Sequence, residues 1–257
     1  MRTQPTDRWV RALVGDVVVV DTRAPLLYWE ERFPVPRYAF DRSDVRTDLL
    51  RPSAGPPPTE PRFFLPRTPV AAWYDLEVDG RRLPHAAWSH EDADVGDRLV
   101  LSWQPGLVDR WLEEDEEVSG HPRDPYKRVD ALPSSRHVVV ALGGTVLADT
   151  VAPVLLFETG LPTRYYLPEE DVRLDLLTPS ANRSHCPYKG DADRYWDLDG
   201  HPDGSGIAWS YSDPYPAVGR VKNRVAFYNE LVDITVDGEP QRRPVSLFSA
   251  RANRPVT

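Results

Sequence analysis

Residues Arg8 to Ser53 are laid over Arg136 to Ser180 with a single one-residue gap. Asp21-Thr22-x-Ala24-Pro25 returns as Asp149-Thr150-x-Ala152-Pro153, and Arg37-Tyr38 returns as Arg164-Tyr165. Asp44-Val45-Arg46-x-Asp48-Leu49-Leu50-x-Pro52-Ser53 returns as Asp171-Val172-Arg173-x-Asp175-Leu176-Leu177-x-Pro179-Ser180. About 21 of roughly 46 aligned positions are identical, so the chain carries two copies of one domain. The copies then diverge, and only the second holds the single cysteine, Cys186.

The 257 residues suit two domains of ordinary size. The repeat places a degenerate first domain at 1–120, a proline-containing joint at 121–135 and a fuller second domain at 136–257. No apolar run approaches the ~18 residues of a membrane span. Met1 to Trp9 is polar, without the apolar stretch of a signal peptide. A lone cysteine forms no intramolecular disulfide, and the expected compartment is the cytoplasm. The net charge of −9, with basic residues scattered among acids, argues against binding nucleic acid through phosphate neutralisation. The acidic run Glu113 to Glu117 reads as a solvated strand end or connector, because consecutive carboxylates on a strand alternate faces and do not converge on a metal.

Short β-branched runs recur at Val17 to Val20, Val138 to Leu142, Val154 to Phe157, Val225 to Tyr228 and Val232 to Val236. Turn signals bound them: Asp79-Gly80, Gly143-Gly144, Asp199-Gly200 and Asp237-Gly238. The expected fold is mainly β, two tandem copies of a small domain built as a barrel or as paired sheets. Asp44 to Leu50 and Asp171 to Leu177 are expected as short helical turns capped near Ser43 or Asp171. Ala54 to Pro69 is an insertion of the first copy, with Pro56-Pro57-Pro58, Pro61, Pro66 and Pro69, expected on the surface in extended form.

Beyond the shared block the second copy reads Ser184-His185-Cys186-Pro187-Tyr188-Lys189-Gly190, where the first reads Thr68-Pro69-Val70-Ala71-Ala72. The copies realign at Trp73-Tyr74-Asp75-Leu76 with Tyr195-Trp196-Asp197-Leu198, and at Ala87-Trp88-Ser89 with Ala208-Trp209-Ser210. A thiolate beside an ammonium is favoured and becomes a better nucleophile, which makes Cys186 and Lys189 the candidate catalytic pair. The opposing reading is a small buried cysteine and a surface lysine. His185 is a second partner for Cys186 unless the segment is a strand, which turns it to the other face. Trp209 and Tyr211 alternate onto one face, and with Tyr165, Tyr166 and Tyr228 are expected to line an aromatic ligand pocket or an aromatic core. Tyr211 stands where the first copy has His90. Arg164 and Glu158 recur as Arg37 and Glu30, reading equally as a buried ion pair or a ligand clamp.

The Arg164-Tyr165-Tyr166 block, Asp171-Val172-Arg173, Cys186-Pro187-Tyr188-Lys189-Gly190, Ala208-Trp209-Ser210-Tyr211 with Pro214, and Val225-Ala226-Phe227-Tyr228-Asn229 resemble the family known as domain of unknown function 427. The chain is similar to its tandem form throughout nearly its whole length, including the joint His121-Pro122-Arg123-Asp124-Pro125-Tyr126. The resemblance implies a small, mainly β domain of the tent-like or Mss-four-like kind, and a nucleotidyltransferase-like label. Tent-like folds often bind zinc through cysteines, which one cysteine cannot supply. No phosphate-cradling glycine motif is present. Asp197-Leu198-Asp199 has the form of a magnesium pair but also of a turn.

These readings lead to a small-molecule enzyme of unassigned reaction, with no cofactor or metal and no nucleic-acid or membrane partner. Cys186 is its nucleophile or ligand contact, Lys189 its electrostatic partner, and Arg164, Tyr165, Tyr166, Trp209, Tyr211 and Tyr228 its ligand-binding residues. A non-catalytic small-ligand or protein-interaction module is the alternative, and nucleotidyl transfer at Asp197 and Asp199 a third.

Overall fold

The computed structural model describes residues 1–58, 63–202, 204–246, 248 and 249. Pro61 of the insertion lies outside the described residues. The chain divides into two compact units, Met1–Asp124 and Pro125–Thr257.

The first unit contributes β1 (Arg2–Pro5), β2 (Val10–Val14), β3 (Val17–Thr22), β4 (Leu26–Trp29), β5 (Arg37–Ala39) and β6 (Leu50–Pro52). It continues with β7 (Val70–Val78), β8 (Arg81–His90), β9 (Leu99–Leu101), β10 (Arg110–Glu113) and β11 (Glu116–Val118). The second unit begins with β12 (Val129–Pro133), β13 (Val138–Leu142), β14 (Thr145–Thr150), β15 (Val154–Glu158), β16 (Arg164–Leu167) and β17 (Thr178–Ser180). It then adds β18 (Ser184–Cys186), β19 (Gly190–Ala192), β20 (Arg194–Asp197), β21 (Ala208–Ser210), β22 (Val225–Phe227), β23 (Asp233–Val236) and β24 (Glu239–Gln241). Each β-branched run expected as a strand is one, and β12 falls within the stretch read as the joint.

The pairing shows one plan used twice. In the second unit a seven-stranded sheet runs β12-β15-β16-β22-β21-β20-β17, and a four-stranded sheet runs β14-β13-β23-β24. The first unit repeats the smaller sheet as β3-β2-β10-β11. Its larger sheet is split into β1-β4-β5 and β9-β8-β7-β6, rejoined by a bridge between Phe40 and Leu99. Even the irregularities repeat: the β2–β3 ladder shifts register after Ala12, and the β13–β14 ladder after Val140. Among the described residues no sheet closes into a barrel, so the paired-sheet alternative is the one formed.

Strict alternation builds the core. Val138, Val140 and Leu142 of β13 are buried, while Val139 and Ala141 are not. The inward set meets Leu167, Trp196, Ala208, Val225 and Phe227 from the larger sheet, which makes the second unit a sandwich. The larger sheet has a second buried face, formed by Leu156, Tyr166, Ala226, Trp209, Tyr211 and Tyr228 among others. That face carries the candidate site.

The residues shared by the copies are largely staples. Thr22 Oγ1 donates to Asp44 at 2.6 Å, and Thr150 Oγ1 to Asp171 at the same distance. Arg46 grips Asp48 through two hydrogen bonds, as Arg173 grips Asp175. The expected helical turns are 3₁₀ turns, Arg42–Asp44 with Thr47–Leu49 and Glu169–Asp171 with Leu174–Leu176. Ser43 and Asp171 do not cap them: both lie inside the turns, and Asp171 is engaged by Thr150. The acidic run forms the β10–β11 hairpin, and its first member departs from the solvated expectation. Glu113 is buried, where Tyr38 Oη and Arg8 Nη1 donate to its carboxylate at 2.8 and 2.9 Å. No helix among the described residues is long and apolar enough to cross a membrane.

Candidate functional site

The Cys-Pro-Tyr-Lys-Gly segment is a hairpin. β18 and β19 pair with Cys186 opposite Gly190, and the Lys189 amide donates back to the Cys186 carbonyl at 3.1 Å. Gly190 adopts φ +92°, a left-handed conformation that closes the turn, and its Cα faces the backbone of Asp213 to Tyr215. The Tyr215 amide donates to the Lys189 carbonyl at 3.0 Å, which pins the hairpin to that loop. Because Ser184 to Cys186 is a strand, His185 turns away from the thiol and pairs with its cross-strand neighbour Asp191 at 2.6 Å.

Lys189 is a buried side chain, not a surface charge. Its Nζ donates to Glu158 Oε2 at 2.5 Å, and Lys127 Nζ stands 3.4 Å from Glu158 Oε1. The half-buried Cys186 lies close enough to the same ammonium to bear on its titration. Burial pushes the Lys189 ammonium down, but the combined pull of Cys186 and Glu158 outweighs it and leaves Lys189 above the ordinary lysine range.

Tyr166, Trp209, Tyr211 and Tyr228 share this face of the larger sheet. Trp209 Nε1 donates to the Tyr166 hydroxyl at 3.2 Å, and the Trp209 and Tyr228 rings lie 4.4 Å apart. Burial first, then the charges of Tyr166, Cys186, Tyr195 and Glu158, hold the Tyr211 hydroxyl far above the ordinary tyrosine range. Tyr211 is therefore a neutral hydroxyl at any ordinary pH. Tyr166 is pushed the same way, chiefly by burial.

Tyr165 does not join these rings. Alternation along β16 sends it to the opposite face, against the sandwich core. There it lines a separate cavity of about 190 Å³ with Thr163, Asn229, Ile234 and Arg242. The four rings that stay together, Tyr166, Trp209, Tyr211 and Tyr228, are buried and pack as an aromatic cluster without Tyr165.

The Arg164–Glu158 pair is also not formed. In the first copy the counterparts do pair, Arg37 Nε donating to Glu30 Oε2 at 3.1 Å. In the second copy Arg164 makes a bidentate pair with Glu230 at 2.6 and 2.8 Å, which leaves Glu158 to Lys189. Through the β21–β22 and β8–β9 registers, Glu230 corresponds to Gln104 of the first copy. That difference, lying beyond the strongly similar block, was the signal available for Glu230.

The first copy fills the equivalent space with its own insertion. Carbonyls of Phe63, Phe64 and Leu65 accept from Arg37 at 2.8 to 3.2 Å. Amides of Arg67 and Thr68 and the Thr68 hydroxyl donate to Glu30 at 2.6 to 2.9 Å. His90, in place of Tyr211, is tied to Tyr28, Trp88 and Thr68 at 3.0 to 3.2 Å. In the second copy, side chains take over from that backbone.

This double architecture coincides with a family match. The family profile described as Domain of unknown function (DUF427), labelled NTP_transf_9, matches residues 2–98 and again residues 130–238. The chain belongs to this family. It carries two copies of the family domain in tandem, and both matches fall on the mainly β units described above. None of the curated proteins matches the chain.

The aspartates of the nucleotidyl-transfer reading are engaged in loop contacts. Asp197 Oδ1 accepts from the Gly206 amide, and Asp199 Oδ2 accepts from Thr178 Oγ1 at 2.6 Å. The first-copy counterpart of Asp197, Asp75, is likewise used internally, by Ser53, Arg82 and the His85 amide. Among the described residues no group of three or more His, Cys, Asp or Glu is placed to hold a metal ion.

Proposed function

We propose that the second unit is a thiol-dependent enzyme acting on a small, partly apolar electrophile. One observation carries this reading: the hairpin turn that holds Cys186 also buries Lys189, paired with Glu158, on a scaffold whose other copy has neither the thiol nor the amine. An unreactive packed cysteine needs no buried cation beside it, and burying a lysine is costly unless it is paired. Cys186, having lost its proton to solvent, attacks an electrophilic carbon through its sulfur lone pair. A carbon–sulfur bond forms, and the carbonyl π pair moves onto oxygen. Lys189 supplies positive charge near the reacting sulfur, and Tyr211, a neutral donor, suits the developing oxyanion. Arg164, Tyr166, Trp209 and Tyr228 form the walls that hold the apolar part of the substrate. A lone, reduced cysteine accords with a cytoplasmic setting.

The test is alkylation of Cys186 by iodoacetamide between pH 6 and pH 10, followed by intact mass, in the natural protein and in Lys189→Met. The natural thiol should react readily at neutral pH, and Lys189→Met should slow it at least fivefold at pH 7. Protection until denaturation, or equal rates in the two proteins, overturns the proposal.

The close Lys189–Glu158 contact favours a second reading, a binding site without chemistry in which the lysine serves mainly to neutralise Glu158. Ligand-dependent thermal stabilisation that survives Cys186→Ser unchanged, together with an inert thiol, selects it.

A further inference from the structure

The Arg164 guanidinium faces three rings: Trp209 at 5.8 Å, Tyr228 at 5.6 Å and Phe248 at 5.4 Å from ring centroid to Cζ. Trp209 and Tyr228 belong to the larger sheet or its immediate extension. Phe248 comes from outside regular structure, after β24, and packs against Tyr228 at 5.7 Å, the two rings tilted by 48°. Among the described residues, three hydrogen bonds within the segment close a local turn: Ser246 amide to Ser249 Oγ, Phe248 amide to Ser246 Oγ, and Ser249 amide to Ser246 carbonyl. Outward, the Ser246 hydroxyl donates to Glu230 in the turn that follows β22.

The first copy closes the corresponding arginine quite differently. Its insertion holds Arg37 through three carbonyls and Glu30 through two amides and a hydroxyl, all charge-assisted bonds. Phe33 and Phe63 add a ring contact at 5.3 Å. That plug is locked. In the second copy Glu230 and Lys189 pair the two buried charges from other elements, and among the described residues the covering segment adds to them one bond, from Ser246 to Glu230.

We propose that Arg164, Trp209 and Tyr228 form a ring-binding subsite in which Phe248 is the chain's own displaceable occupant. The ligand it takes carries a flat, neutral, electron-rich aromatic ring, because a guanidinium attracts the negative face of such a ring and repels a cationic one. The subsite deepens the functional reading by naming the apolar part of the substrate, and it puts ring binding under the control of the covering segment.

The test is run in the Cys186→Ser background, so it does not depend on thiol chemistry. Calorimetric titration with p-cresol and with N-methylpyridinium compares Cys186→Ser alone, with Phe248→Ala, and with Ser246→Ala. Phe248→Ala should bind p-cresol about tenfold more tightly, the gain expected when a competing ring worth ~1.4 kcal/mol is removed. Ser246→Ala, which loosens the cover and leaves the ring in place, should gain about threefold, and N-methylpyridinium should gain nothing. A synthetic peptide of the sequence PVSLFS should compete with p-cresol in the Phe248→Ala protein. No gain in Ser246→Ala overturns the proposal, because a gain confined to Phe248→Ala reports only a hole left by truncation. An equal gain for N-methylpyridinium also overturns it. If Phe248→Ala fails to fold, Ser246→Ala alone decides. Failure here with a reactive Cys186 leaves the thiol reading standing, and an inert Cys186 with cresol binding leaves the subsite standing.

Discussion

Replacing Lys189 by methionine keeps most of the aliphatic stem and removes one charge from a buried pair. The magnitude follows from what remains. Lys189 Nζ lies 2.5 Å from Glu158, with side-chain exposures of 11% and 6%, so neither group is well solvated. After the substitution the Glu158 carboxylate retains Lys127, which is more distant at 3.4 Å and 21% exposed. Breaking a buried pair by removing one partner costs ~3–5 kcal/mol, and the surviving lysine places the expected loss near the lower end, ~3 kcal/mol. An exposed pair of the same length would cost less than ~1 kcal/mol. The double variant Lys189→Met/Glu158→Gln leaves no buried carboxylate unpaired, with Lys127 partly solvated and held by the Thr159 carbonyl, and should recover at least ~2 kcal/mol relative to the sum of the singles. The chain has two compact units, for which a single global unfolding free energy is not well defined, so the measurement is hydrogen exchange of the β15 and β19 amides in the full protein. The pH dependence has a definite sign. A lysine held above its ordinary value of 10.5 contributes stability that is fully present below pH 10.5 and lost as pH rises through the folded value. Lys189→Met should therefore flatten the alkaline limb above pH 10.5. A loss under ~1 kcal/mol, or additive single and double variants, would refute the buried-pair reasoning.

Glu230→Gln leaves Arg164 buried without its bidentate partner and should cost ~3 kcal/mol. Burial raises the Glu230 carboxyl, but hydrogen bonds from Arg164 and Ser246 outweigh it and hold the group below its ordinary 4.5. Its contribution is present above pH 4.5 and lost as pH falls through the lower folded value, so a melting series from pH 3 to 7 should show a flatter acid limb in the variant. Gly190→Ala puts a side chain at φ +92° with its Cβ 3.5 Å from the Asp213 carbonyl, and should cost ~1–2 kcal/mol while loosening the hairpin. Faster alkylation of Cys186 in that variant is the readout, and an unchanged rate with unchanged melting counts against the pinning role of Tyr215. Trp209→Phe removes the indole donor to buried Tyr166 and should lower stability by ~1–3 kcal/mol, read by urea unfolding of the second unit, with no change expected in the first.

Each copy of the domain is a control for what the other needs in order to fold. The duplicated Asp-Val-Arg-x-Asp block is scaffold in both copies, because its carboxylates and guanidiniums engage neighbours a few residues away or one hairpin away. Alternation put Trp209 and Tyr211 on one face, and it contains the correction for Tyr165, whose parity with Tyr166 excludes a shared face. Private residues of the second copy, Cys186 and Lys189, were legible as a difference. What they touch was not.

The chain by itself determined two β domains, the strands and their turns, and the short list of residues that one copy has and the other lacks. Those properties are written in periodicity and in local backbone preference, which each segment carries wherever it goes. Tertiary structure decided the partners. Arg164 abandons the glutamate its counterpart uses and takes Glu230, 66 residues away, while Glu158 takes Lys189, 31 residues away. Electrostatic pairing falls steeply with distance and rises with burial, so it is settled by sheet order and by which loop covers which face. The insertion of the first copy and the Phe248 turn of the second reach comparable arginines from unrelated places in the chain. Only packing brings them there.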